Sequence, residues 1–240
     1  MDAPEFVYSN LECEAIDSVR HLLLTHWHPD HTAGLRVVQS RTFARVFAEA
    51  EHGMTDATLA DQPTIVTTER VFERTCELYS GLRHFVDVGF AETHFLDEKP
   101  LVTDGIRIEA IPYSLSADAD PDATAFVLRE GDRTVVLATD DARFLEESAL
   151  PDGIDLAVFE CGYFEETPDG TSILAGRDEA VLADELTHAE VLERIDRLDP
   201  TRTVPTEIEH LYGRGHDDYQ RLTSTYDGIE FAHDGLTIVV

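Results

Sequence analysis

Lysine is nearly missing from this chain. Lys99 is the single lysine among 18 basic residues, which face 49 acidic ones for a formal net charge of −31. That imbalance excludes the basic stripe needed to neutralise a phosphate backbone, so broad nucleic-acid binding is not expected. Acidic residues run the whole length of the sequence, as in a protein kept soluble in molar salt, where the Debye length of about 3 Å screens self-repulsion. We read the charge as a halophilic adaptation of archaeal type and not as evidence about a partner. Cysteine is scarce too. Cys13, Cys76 and Cys161 are odd in number and form no CxxC pair, which argues against a disulfide framework or a thiolate zinc site and suits a reducing cytosol. No apolar run reaches membrane-spanning length and the N-terminus has no signal-peptide pattern, so a cytoplasmic protein is expected. No repeat or Pro/Gly/Ser-rich linker interrupts the 240 residues, and one domain over 1–240 is the simplest reading.

What is present alternates between strand and helix patterns. A short helix is expected within 5–17, and Val19 to Leu24 reads as a buried strand, with a helix opening at Asp30 or Thr32. Ile65–Val66 reads as a strand, and Thr68 caps a helix running to Tyr79. Asp104-Gly105 and Glu130-Gly131-Asp132 mark two hairpins. Leu156–Phe159 reads as a buried strand and Thr187–Leu198 as an amphipathic helix. Thr201–Pro205, a helix near 216–224, and strands Ile229–Phe231 and Leu236–Val240 complete an α/β chain.

The most informative stretch is Leu22-Leu23-Leu24-Thr25-His26-Trp27-His28-Pro29-Asp30-His31-Thr32. Three histidines and an aspartate fall within six residues, where an apolar strand turns into a helix. Imidazoles suit zinc, iron or manganese, and a hard carboxylate beside them takes a second ion or a water. No ordinary core needs four such groups at this spacing.

The pattern His-x-His-x-Asp-His resembles that of the metallo-β-lactamase superfamily. The resemblance implies an αββα four-layer sandwich with metal at one edge. His26 and His28 would hold one ion, Asp30 and His31 a second, and Asp140, at the end of the apolar run Val135–Ala138, would bridge them. In the family several strands precede this motif, whereas here 25 residues do. The fold is therefore expected to lack its first strands, or the start to be placed too far downstream. Asp2-Ala3-Pro4-Glu5 resembles the stretch just after those strands.

The resemblance also has departures. The family's third histidine belongs in the loop after Ile111, where this chain has Ser114, a poor ligand; Asp118, Asp120 or Asp122 would have to fold back to replace it. Two C-terminal histidine pairs of the phosphodiesterase branches become Glu185-Leu186-Thr187-His188 and Thr206-Glu207-Ile208-Glu209-His210. Glu207 is then the expected ligand of the second ion, with His210 as the alternative one helical turn away. An oxygen-rich second site leans towards manganese, magnesium or iron, so one or two divalent ions are expected, zinc or manganese or iron.

The motifs look most like the cyclic-phosphate phosphodiesterase and tRNA 3′-processing ribonuclease branches. That resemblance implies a metal-activated water positioned by Asp30 and Asp140, with His188 or His210 protonating the leaving oxygen. A small cyclic or nucleotide phosphodiester is the expected substrate, since no basic arm is present to grip RNA. Related branches are often dimers, which makes a homodimer an expectation. Two alternatives stay open: a thioester or lactone hydrolase on the same fold, and a degenerate metal-binding scaffold without turnover.

Overall fold

The computed structural model describes residues 1–16, 18–40, 62–117, 119–140, 142–173, 185–208 and 212–240. They fall into two compact units, Met1–Leu101 with Asp122–Thr124, and Val102–Pro121 with Ala125–Val240.

In the first unit, helix α1 (Val7–Cys13) precedes strand β1 (His21–Leu23), the one-turn helix α2 (Pro29–Thr32), β2 (Thr64–Thr67), helices α3 (Glu69–Leu78) and α4 (Ser80–Asp87), and β3 (Glu92–Phe95). The three strands form a parallel sheet in the order β1-β2-β3. β2 is Thr-Ile-Val-Thr, three β-branched types whose last three side chains are buried, as a parallel strand covered on both faces requires. The Thr68 hydroxyl accepts from the Val71 amide and caps α3, which turns Val71, Phe72 and Thr75 inward. Val71 and Phe72 pack with Leu22, Leu24, Leu35, Ile65, Leu82 and Phe85 in one apolar cluster. The helix expected to start at Asp30 or Thr32 starts at Pro29, whose fixed φ suits the first helical position.

The N-terminal segment adds no strand to this sheet among the described residues. It is stitched on instead: the Asp2 amide donates to the Leu23 carbonyl (2.7 Å), Ala3 to His31 (2.8 Å), and Gly34 to Ala3 (2.7 Å). The approach at Gly34 is very close. A Cβ there would lie 2.1 Å from the Pro4 carbonyl oxygen and 2.6 Å from Val7 Cγ1.

In the second unit, β4 (Leu101–Thr103), β5 (Ile106–Tyr113), β6 (Ala123–Glu130), β7 (Arg133–Ala138), β8 (Leu156–Glu160) and β9 (Arg202–Thr206) form a six-stranded sheet in sequence order. Leu101 and the first two residues of β6 belong to the first unit. Both expected hairpins are present. Asp104 and Gly105 have φ of 49° and 87°, the left-handed pair that a two-residue turn with the strands' own twist needs. Strands β7, β8 and β9 run parallel. Between β8 and β9 lies α5 (His188–Leu198), with Thr187 and Glu190 closing a capping box. Helix α6 (His216–Thr223) follows β9.

The two final strands are not formed. Ile229 makes one parallel bridge to Thr203, and 236–240 has no regular structure, its Val239 being 85% exposed. Alternating apolar residues there satisfy the strand pattern, but a strand also needs a neighbour's ladder. No helix among the described residues is long and apolar enough to cross a membrane.

The packing at Gly34 yields a direct test. Gly34→Ala should destabilise the protein by about 1–3 kcal/mol, the cost of forcing an extra methyl into a filled site. Urea denaturation reads this, and an unchanged midpoint would refute the close approach.

Candidate metal centre

Within the first unit the three motif histidines form one tight group. The ring centroids of His26 and His28 are 4.5 Å apart and those of His26 and His31 are 4.2 Å apart. His26 is wholly buried and His31 nearly so. The strand end and the proline-started turn produce this convergence, carrying the chain from Leu24 into α2 within a few residues.

Asp2 organises the group. Its carboxylate accepts from the Thr25 amide (2.8 Å), from the Thr25 hydroxyl (3.1 and 3.0 Å to its two oxygens) and from His31 Nδ1 (3.1 Å). The proton positions follow by elimination. Thr25 has one hydroxyl proton and gives it to Asp2, so its oxygen can only accept from His26 Nδ1, 2.9 Å away. Both His26 and His31 therefore carry their proton on Nδ1 and present the Nε2 lone pair. Burial, followed by the neighbouring His31 and His28, pushes the His26 pKa well below 6.5, so its ring is neutral near pH 7. Neutral imidazoles with the far nitrogen tied to a carboxylate or hydroxyl are what a divalent cation takes as ligands, and the residues fit one. Asp30 belongs to the same turn. Its side chain is 71% exposed, with one oxygen 3.6 Å from His31 Nε2. The sequence reading did not assign Asp2 a role; the only signal was the likeness of Asp2-Ala3-Pro4-Glu5 to a stretch of the family pattern.

The Asp122 carboxylate accepts from the Trp27 indole at 3.1 Å, and Arg74 lies over that ring. Asp118 and His210 lie outside the described residues. In the second unit, the Ser114 hydroxyl donates to the Ala119 carbonyl at 2.8 Å. Asp140 follows β7, and its backbone carbonyl accepts from the Tyr113 hydroxyl at 2.6 Å. Glu207 follows β9 with φ of 54°, a left-handed backbone rare for a side chain of this kind.

His188 sits in an apolar setting. Its ring stacks on Phe164 at 4.3 Å, with Phe231 and Tyr226 at 5.7 and 6.3 Å, and its Nδ1 donates to the Cys161 carbonyl at 2.7 Å. Its Nε2 is buried without a hydrogen-bond partner. Burial lowers its pKa below 6.5; the Cys161 carbonyl opposes this, and the Arg214 charge adds to it. Cys161 is a buried thiol pushed up to about 12, first by burial and then by Glu160, and is no nucleophile at neutral pH. Tyr163 and Phe164 are core residues.

Residues 8–208 match the family described as "Beta-lactamase superfamily domain", and the chain belongs to that family. No curated protein matches it in sequence. Among solved structures it is similar to a diphosphatase from the PhnP family at 15% identity and TM-score 0.66, over 100% of this chain and 78% of that one. The metallo-beta-lactamase fold protein YhfI from Bacillus subtilis is similar at 16% identity and TM-score 0.64, over 98% and 84%. Zn(2+)-bound PqqB from Methylobacterium extorquens is similar at 17% and 0.53, over 100% and 81%. The fold is thus the α/β fold of the metallo-β-lactamases.

Two tests follow from this geometry. Asp2→Asn puts an amide where three donors converge, and should weaken metal binding by about 10- to 100-fold in a chelator-competition titration; unchanged affinity would remove Asp2 from the site. For His188, the unfolded ring binds a proton below pH 6.5 while the folded ring resists it. Stability is therefore full above pH 6.5 and falls as pH drops from there towards the folded pKa. Urea midpoints at pH 7.5 and 5.5 should differ less in His188→Gln, by up to about 1.4 kcal/mol per pH unit. The same slope in both proteins would contradict the assignment.

Proposed function

We propose that this protein is a metal-dependent hydrolase acting on a small phosphodiester. The observation that carries the reading is the buried group of His26, His28 and His31, with two of its imidazoles fixed in the metal-ready tautomer by Asp2 and Thr25. Membership of the beta-lactamase superfamily supports it, as does the likeness of fold to a diphosphatase.

In this proposal His26 and His28 hold one ion with Asp140, and Asp30, His31, Asp140 and Glu207 hold the other. A divalent cation in such a site supplies Lewis-acid polarisation of a phosphoryl oxygen and lowers the pKa of a water. The chain's residues do the rest. Asp30, exposed on the first turn of α2, orients the attacking water and takes its proton. Asp2 holds the His31 ring against rotation while charge changes beside it. Of the two candidates for protonating the leaving oxygen, the enclosed ring of His188 makes His210 the better choice. A second reading, a metal-binding scaffold without turnover, is favoured by one observation: the Ser114 hydroxyl is bonded to Ala119 where the family pattern has a histidine.

Elemental analysis and an assay on bis(p-nitrophenyl) phosphate, in molar salt with manganese or zinc, separate the two. We expect bound metal, turnover abolished by a chelator, at least a 100-fold loss of kcat in Asp30→Asn, and no comparable activity on lactones. Stoichiometric metal with no turnover of any ester would establish the scaffold instead.

A further inference from the structure

Arg214 stands out in a chain with 49 acidic residues. Several other arginines pair with carboxylates: Arg133 with Asp155 at 2.7 Å, Arg107 with Glu109 at 3.0 Å, Arg74 with Glu77 at 2.7 Å, Arg202 with Glu230 at 3.3 Å. Among the described residues no carboxylate oxygen comes within ion-pair distance of Arg214. Its guanidinium lies 4.1 Å from the centre of the Phe164 ring, one terminal nitrogen donates to the Glu166 carbonyl at 3.2 Å, and its Nε is buried with no hydrogen-bond partner. The nearby Asp218 is already engaged. It accepts from the Gly215 amide at 2.8 Å and from Arg221, and these two contacts are the main reason its pKa is low. Arg214 is thus a positive charge fixed in place by an aromatic face and a peptide carbonyl, with donor capacity to spare.

That charge borders a cleft of about 590 Å³ where β9 ends and α6 begins. His216 and His233 also line it, their rings 5.7 Å apart and edge to face, and Tyr219 and Phe231, 5.2 Å apart, give it an aromatic wall. Glu207 and Asp234 line it as well. We infer that this cleft binds a singly charged phosphodiester, Arg214 taking the phosphoryl oxygens above a floor formed by the buried rings of Tyr219 and Phe231. Charge-assisted hydrogen bonds from a guanidinium suit a phosphoryl group, and His216 adds a ring N–H beside it, whereas His233 Nδ1 donates to the Asp234 carbonyl at 2.9 Å. The two carboxylates set the charge limit, since each further negative charge on the ligand meets both of them. A diester is therefore preferred to a dianionic monoester. The choice of a diester rests on the hydrolase reading, while the anion site itself rests on Arg214 and the cleft.

Calorimetric titration of the chelator-treated full chain with cyclic AMP and with AMP tests this without turnover. We expect cyclic AMP to bind more tightly than AMP. Arg214→Gln should weaken cyclic AMP about tenfold or more, Arg214→Lys should weaken it less, and Arg107→Gln, an exposed arginine elsewhere, should not change it. If Arg214→Gln unfolds through loss of its contact with Phe164, Arg214→Lys and His216→Ala carry the comparison. No binding by the parent protein, or affinity indifferent to Arg214, would overturn the inference. The two readings fail separately. Cyclic AMP bound through Arg214 with no turnover by the metal-loaded protein removes the hydrolase and leaves the anion site. Turnover with a KM unmoved by Arg214→Gln does the reverse.

Discussion

A buried carboxylate must find donors or it destabilises the fold that buries it, and Asp2 finds its donors in the His-rich motif. Thr25 supplies an amide and a hydroxyl, and His31 supplies a ring nitrogen. The dependence runs both ways. The carboxylate is satisfied only because the strand end presents these groups, and the imidazoles hold one tautomer only because the carboxylate is there. Gly34 completes the arrangement by letting the N-terminal segment lie against the chain leaving α2, so that a backbone packing constraint and the chemistry of the site are one problem.

The second unit makes its contribution through topology. β7, β8 and β9 are parallel neighbours, so their carboxyl ends lie on one edge of the sheet, where a parallel sheet collects functional groups. Asp140, Glu160 and Glu207 stand at or just beyond those three ends. Glu160 is engaged by the Ala142 amide at 2.6 Å and has a structural role in placing the turn after β7. Asp140 and Glu207 are the two that the proposed function uses.

How much of this was legible depends on how far apart in the chain the cooperating residues are. His26, His28, Asp30 and His31 are adjacent, so their spacing alone suggested a metal centre. The capped helices at Thr68 and Thr187 and the Asp104-Gly105 turn were readable because their signals are local. Asp2 was not, since 23 residues separate it from Thr25 and nothing in the spacing says they meet. The aromatic setting of His188 was not legible either, because Phe164, Tyr226 and Phe231 come from segments before and after it. α4 and β3 passed unnoticed, β3 because Glu-Thr-His-Phe lacks the alternation that marks a strand. The pattern at 236–240 erred the other way, having the alternation without the neighbour.

The backbone at Glu207 has an implication for how this protein would respond to selection. A left-handed φ on a glutamate costs about 1–3 kcal/mol, and glycine would relieve it. Variants sorted for thermal robustness alone would drift towards glycine there, shedding a carboxylate from the end of β9. The native sequence keeps the less comfortable residue. Stability and whatever Glu207 does thus pull this one position in opposite directions, and a consensus drawn from robustness would erase the evidence of its use.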